Sequence, residues 1–212
     1  MRVAIDVRKI HDFGIGTYIR NLLKYLARLD NKTEYVLLCE KNDQELPKQL
    51  GDNFRAVIEN SPNYSIREQL HIPYVLLREK PHVFHAPHYV LPPAVPCRAV
   101  VTIHDCIHLR FPQYLPNRAA SLFARTAMWA AANRADRIFT VSEASKRDIL
   151  SYFNVPKEKI VVVHNAIDEH FGSTLREEDI SRVRERFQLE HGFVLYVGNV
   201  KPHKNLVRLI DA

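Results

Sequence analysis

Short runs rich in branched apolar residues alternate along this chain with longer segments whose apolar side chains recur at helical spacing. A chain patterned in this way closes into a parallel sheet crossed by helices. The pattern predicts strands at Arg2–Val7, Tyr35–Cys39, Arg55–Ile58, Val83–His85, Ala99–Ile103, Arg137–Val141, Ile160–Val163 and Phe193–Val197. The clearest helices are Thr17–Leu29, Asn117–Arg134 and Glu143–Tyr152, the last entered through Ser142 as N-cap. Near-continuous apolar strands such as VVTI and IVVV are the mark of a sheet covered on both faces. The fold class is therefore α/β, a Rossmann-like doubly wound and mostly parallel sheet over residues 1–167.

Composition narrows the setting. With 46% apolar and 25% charged side chains the chain matches a globular protein and excludes disorder or a fibre. Three cysteines, Cys39, Cys97 and Cys106, make an odd count with no close spacing of the CxxC kind, so neither a disulfide framework nor a four-cysteine zinc site is available, and a reducing, cytoplasmic setting is expected. Asp6 and Arg8 interrupt the opening segment where a secretion signal would need an apolar stretch, and Arg125 splits the longest later one.

The net charge is +6, and its location is informative. Between Arg78 and Arg137 there are eight basic residues against three acidic ones, so five of the six surplus charges lie there. Such a surplus suits solvated helix faces, a phosphate-bearing ligand or an anionic membrane surface. The basic residues lack the interleaved aromatics of a base-stacking platform, so no nucleic acid is expected.

Glycine is scarce, six in 212 residues, which makes the pair Gly14 and Gly16 conspicuous between the first strand and the first helix. That turn lies at the carboxyl end of the strand, where glycines admit a ligand to the backbone and a helix N-terminus offers N–H groups to an anion; a tight turn without a ligand is the alternative. Ile19 stands where a dinucleotide fingerprint needs its third glycine, which counts against NAD or FAD. Seven of the twelve prolines fall between Pro81 and Pro116, together with His82, His85, His88, His104 and His108. Extended chain around Pro81 and Pro87 separates the first three histidines, so no metal is expected there. His104 ends an apolar strand beside Asp105 and should emerge at the sheet edge that carries the glycine turn, to contact a ligand or to brace a loop. Near the other end, Gly198 follows a strand and Lys201, His203 and Lys204 precede a helix, a turn able to hold phosphate.

Seven segments, DFGIGTYIRNLL, YSIREQLHIPYVL, FHAPHYVLP, TIHDCIHLRFP, TVSEASKRDIL, VVVHNAID and YVGNVKPHKNL, occur in this order. Together they resemble the family 4 retaining glycosyltransferases, in which two Rossmann-like domains face each other in the GT-B architecture. Their wording is similar to the mannosyltransferase branch that builds bacterial surface polysaccharides and lipopolysaccharide side chains. The resemblance implies transfer of a hexose, with mannose favoured, from a GDP- or UDP-linked sugar to a lipid-linked or polysaccharide acceptor, with no required metal or other cofactor. It gives Gly14 and Gly16 to the donor diphosphate and His104 to the transferred sugar. Tyr64, Ser65, Arg67 and Asp105 fall to the acceptor pocket, and Lys204 and Asn199 to the diphosphate, although Asn199 stands where relatives carry an arginine.

The resemblance also implies a domain plan: an acceptor-side domain over 1–167, a charged linker with a short helix over 168–190, and at 191–212 the opening of a nucleotide-sugar domain that is incomplete. An open strand edge there would favour self-association. Family members carry a Glu-x7-Glu pair deep in the second domain; Glu177 and Glu185 have that spacing but belong to the charged linker helix, where they should face solvent. Weak or absent transfer by these 212 residues alone follows as an expectation. Two rival readings remain at this stage, a non-catalytic or split-enzyme acceptor-binding subunit and a Rossmann-type sugar-nucleotide-binding protein.

Overall fold

The computed structural model describes residues 1–167, 171, 175–189 and 192–212. These form two compact units, Met1–Ala166 and Ile167–Ala212. The first contains seven strands, β1 (Arg2–Asp6), β2 (Glu34–Cys39), β3 (Phe54–Ile58), β4 (Val83–Ala86), β5 (Arg98–Thr102), β6 (Arg137–Thr140) and β7 (Ile160–Val162). Its helices are α1 (Phe13–Leu29), α2 (Ile66–Glu79), α3 (Ile107–Arg110), α4 (Arg118–Arg134) and α5 (Glu143–Tyr152). The strands form one sheet in the order β3-β2-β1-β4-β5-β6-β7, and every pairing is parallel. The order reverses direction between β1 and β4, which opens a crevice at the carboxyl ends of those strands.

Strand periodicity divides the core into two layers. Ala4, Val36, Leu38, Phe84, Val101 and Ile138 pack with helix residues such as Leu76, Met128 and Ile149. Ile5, Tyr35 and Leu37, one position along, pack with Ile19 and Leu23 of α1. Successive side chains of a strand point to opposite faces, so a sheet covered on both sides needs apolar residues at nearly every position. Three helices start where the sequence supplies a cap. Ser65, Asn117 and Ser142 accept hydrogen bonds from the amides of Glu68, Ala120 and Ser145, at 3.1, 2.8 and 3.1 Å. Helix α2 tolerates the buried Pro73 and stops at Lys80, in the left-handed region at φ 48°, just before Pro81.

The second unit contains α6 (Glu177–Phe187) and α7 (Leu206–Ile210). Acidic residues in the first turn of α6 and arginines in its last complement the helix dipole. Glu177 and Glu185 are both exposed. The predicted strand at Phe193–Val197 does not form: this stretch has no regular structure and pairs with no other strand. A strand exists only through its ladder, and among the described residues no neighbouring edge pairs with this apolar run. Of the predicted linker and second-domain opening, residues 168–170, 172–174, 190 and 191 lie outside the described residues. No described helix is long and apolar enough to cross a membrane.

Candidate functional site

The carboxyl edge of the sheet gathers the turns after β1, β4, β5 and β6. Gly14 and Gly16 sit inside the first turn of α1 rather than in a loop before it, because the helix begins at Phe13. A Cβ on Gly16 would lie 2.3 Å from the Ile10 carbonyl oxygen, so close packing of α1 on the turn accounts for this glycine. Gly14 differs: a Cβ there would meet nothing within 4 Å. Asp12 precedes the helix without capping it, its carboxylate lying 3.1 Å from the Lys9 ammonium instead. The first turn of α1 therefore presents uncapped amides beside an open glycine, an arrangement suited to an anion.

His104, two residues past β5, lies on the same edge. Its ring meets that of Tyr18 from α1 edge-on, with centroids 5.0 Å apart. Its Nε2 is 3.1 Å from the Pro87 carbonyl oxygen. A carbonyl only accepts, so Nε2 carries the proton and Nδ1 of the neutral ring keeps a free lone pair. Burial lowers the His104 pKa, against the opposing pull of the Pro87 carbonyl and Asp105. Beneath it lies a polar chain: His85 Nε2 is 2.8 Å from Thr102 Oγ1, which is 3.2 Å from the Tyr18 hydroxyl. Burial, with the nearby His104 ring, pushes the His85 pKa down to about 4. Asp105 is exposed and accepts the Ile107 amide at 3.0 Å, a local turn at the entrance to α3.

The acceptor-side residues fall where β3 leads into α2. Ser65 caps the helix and Arg67 is exposed in its first turn. Tyr64 has φ 64°, and its amide donates to Glu68 Oε2 at 2.6 Å. Glu68 Oε1 in turn pairs with Arg8 at 2.6 Å, and Arg8 also reaches Asp6 at 2.6 Å and the Ser61 carbonyl at 3.1 Å. The Arg8 side chain is 2% exposed. Burial opposes its charge, but Asp6 and Glu68 outweigh it and hold its pKa above the ordinary arginine value. Lys9, Tyr64 and His88 border a cleft above this network with 20 Å³ of water-accessible room. A wider hollow of 390 Å³, lined by Gly14, Tyr18, Asn21, Tyr25 and His164 among others, lies beside α1.

Sequence reasoning missed the Asp6–Arg8–Glu68 network, and it missed Lys9, Tyr18 and Thr102. The S-x-x-E pattern at Ser65–Glu68 could have placed Glu68 at a helix start, but nothing local pairs it with Arg8, 60 positions away. The three spaced histidines diverge. His82, exposed, accepts the Arg2 amide at the opposite edge; His85 is buried under the site, and His88 lines the cleft. Asn199 and Lys204 belong to the second unit. Asn199 supplies a carbonyl to the Tyr196 hydroxyl at 3.0 Å, and Lys204 ends a short 3-10 turn, exposed.

The sequence profile of Glycosyltransferase Family 4 matches residues 14–171, more than half of the chain. O-antigen chain mannosyltransferase B of Escherichia coli is 30% identical over 134 residues, which cover 63% of this chain and 34% of that protein. The serotype-specific mannosyltransferase WbdA of the same organism is 27% identical over 122 residues, 56% of this chain and 15% of its own length. The chain thus matches about a third or less of these relatives. Among solved structures, Anabaena Alr3699/HepE in complex with UDP-glucose superimposes with a TM-score of 0.66 at 16% identity, over 100% of this chain and 56% of that one. This likeness concerns the fold.

Proposed function

The chain belongs to glycosyltransferase family 4, and we propose that it acts in moving a hexose, mannose in the favoured case, from a nucleotide sugar to a growing surface polysaccharide or its lipid-linked precursor, with retention at the anomeric carbon. The observation that carries this reading is the convergence of Gly14, Tyr18 and His104 on one sheet edge. Transfer breaks the bond between the anomeric carbon and the diphosphate, an acceptor hydroxyl oxygen takes the diphosphate's place, and the hydroxyl proton leaves with the departing diphosphate. The leaving diphosphate gains charge as that bond lengthens, and uncapped amides at α1 suit it. The Lys204 ammonium, with Asn199 close in sequence, would add to the donor side. His104 offers a neutral imidazole whose Nδ1 accepts from a sugar hydroxyl, orienting the ring at the reacting carbon. Asp105, already turned into its local loop, would bound the sugar pocket by holding the backbone after His104. Tyr64, Ser65 and Arg67 stand at the acceptor side, where the S-x-x-E cap fixes the start of α2.

Contact with an anionic membrane surface forms part of the proposal. Helix α4 contains three arginines and no acidic residue. Arg118, Leu122, Arg125 and Trp129 share one face at helical spacing, with Leu122 65% and Trp129 59% exposed. An apolar stripe flanked by arginines suits lipid headgroups.

The test is a transfer assay with radiolabelled GDP-mannose and UDP-glucose on polysaccharide and lipid-linked acceptors, run with the chain joined to a complete nucleotide-sugar domain, because weak or absent transfer is expected of these 212 residues alone. His104→Ala should lower kcat at least about tenfold with little change in donor KM, as expected for a group acting near the reaction centre. Unchanged turnover in that variant, or release of labelled sugar only to water, would overturn the assignment.

A further inference from the structure

Tyr64 is the one exposed aromatic residue of the described chain with a left-handed backbone, a conformation that costs a non-glycine residue about 1–2 kcal/mol. It is held by a buried device. The Glu68 carboxylate takes the Tyr64 amide with one oxygen and the Arg8 guanidinium with the other, and Arg8 is fixed in turn by Asp6. The consequence is the placement of the ring. Its centroid lies 4.8 Å from the Lys9 ammonium, and it meets the rings of His88 and Phe123 edge-on at 5.8 Å each.

The cleft under this ring has room for about one water or one hydroxyl. His88 lines the cleft, and its Nδ1 atom is buried with no hydrogen-bond partner among the described residues, a state that native structures rarely leave unanswered. Burial first, then the charges of Lys9, His104 and His108, push the His88 pKa down to about 3, so the ring is neutral at pH 7. The charges around the cleft balance, Asp6 and Glu68 against Arg8 and Lys9. An anion would accept from Lys9 but would meet two carboxylates and a lone pair. A hydroxyl fits both sides: its oxygen accepts from the Lys9 ammonium and its proton goes to His88 Nδ1.

We propose that Arg8 and Glu68 are positioning residues that hold Tyr64 over a hydroxyl-sized slot between Lys9 and His88, and that the slot binds one hydroxyl of the carbohydrate acceptor. The proposal rests on the glycosyltransferase reading and adds to it the neutral character of the acceptor at this point. Tyr64 contributes its face to the sugar ring, and the slot selects a hydroxyl over a phosphate or a carboxylate.

The experiment is ¹⁵N-histidine NMR on the whole chain, with methyl α-D-mannopyranoside and, separately, inorganic phosphate as probes. The expected result is a saturable shift of the His88 signal with the glycoside and none with phosphate. Glu68→Gln, which keeps the side-chain shape, should weaken glycoside binding about fivefold, the loss of one hydrogen-bonded constraint. Tyr64→Gly, which tolerates the same backbone, should weaken it at least as much without lowering Tm, and Tyr64→Phe should retain it. No His88 shift with the glycoside, or a shift with phosphate alone, overturns the slot. So does unchanged affinity in Tyr64→Gly, which remains informative if Glu68→Gln fails to fold. Sugar transfer is scored separately, with the chain joined to a complete nucleotide-sugar domain. There, a His88 shift without transfer keeps the slot and removes the enzyme reading, and transfer without the shift does the reverse.

Discussion

Gly14 and Gly16 are two residues apart in one helical turn, yet the fold requires only one of them. Gly16→Ala would place a methyl carbon 2.3 Å from the oxygen and 2.7 Å from the carbon of the Ile10 carbonyl. That carbonyl cannot swing away easily: Ile10 is 4% exposed, its amide donates to Val7 at 2.9 Å, and its oxygen accepts from Arg20. Overpacking of this kind costs about 3 kcal/mol at the upper end of its usual range, and replacing a helical glycine returns about 1 kcal/mol. The net loss is about 2 kcal/mol. With an m-value near 2 kcal/mol/M, the urea midpoint should fall by about 1 M. Gly14→Ala meets open space and should hold or raise the midpoint while weakening binding of a nucleotide diphosphate. The fluorescence of the single tryptophan, Trp129 in α4, follows unfolding of the first unit. Wild-type stability in Gly16→Ala, or equal losses in the two variants, would refute the packing argument.

Acidification should destabilise the first unit. His85 and His88 titrate near 6.5 when unfolded and at about 4 and about 3 in the fold, so the unfolded chain binds more protons below pH 6.5. Stability should fall as pH drops from about 6.5 to about 4, with His85 contributing up to about 3 kcal/mol; urea midpoints that stay constant from pH 7 to 4 would contradict this. Ser142→Ala should cost about 1 kcal/mol by removing the α5 cap, read from the thermal midpoint. Burial raises the thiol pKa of Cys39 to about 11 and of Cys106 to about 12, each with a further push from nearby carboxylates. Both should therefore react with iodoacetamide far more slowly in the native chain than in urea. Vesicles containing anionic lipid should blue-shift Trp129 emission, whereas neutral vesicles should not; equal shifts with both would remove the electrostatic part of the membrane contact.

The architecture was legible because periodicity survives burial. Every strand of the sheet was placed within about two residues, Ser142 marks a real helix start, and the helix expected from Asn117 begins one residue later with Asn117 as its cap; helix α2 and its Ser65 cap were not foreseen. The exception is Phe193–Val197, whose composition favours a strand but which pairs with no strand among the described residues. Composition reports what a segment could do, and ladder hydrogen bonds depend on what stands beside it. The α1 boundary failed for a related reason. Glycines read as loop residues, while Gly16 serves helix packing that only the three-dimensional approach of Ile10 reveals.

The site was legible in part, and the part that was missed follows from how charge is read. Asp6 and Arg8 are separated by one residue at the end of β1, where the sequence shows only interruptions of an apolar run. In the fold the alternation of the strand sends Asp6 and Arg8 to the same side, and α2 returns Glu68 to close over them. A guanidinium 2% exposed between two carboxylates stabilises little compared with apolar packing of equal volume, since desolvation consumes most of the attraction. Removing either carboxylate would nevertheless be costly, because it would leave a buried charge uncompensated. Such a group is fixed in place rather than strongly stabilising, which is the property needed by a residue whose task is to hold Tyr64. The same reasoning separates His104 from His85: one ring keeps a free lone pair at the sheet edge, and the other spends its hydrogen bond on Thr102 beneath it. At the edge of the sheet the proposed binding residues Gly14, Tyr64, His88 and His104 thus rest on a buried layer of Arg8, Glu68, His85 and Thr102. Substitutions in the lower layer should change affinity only through the residues above them.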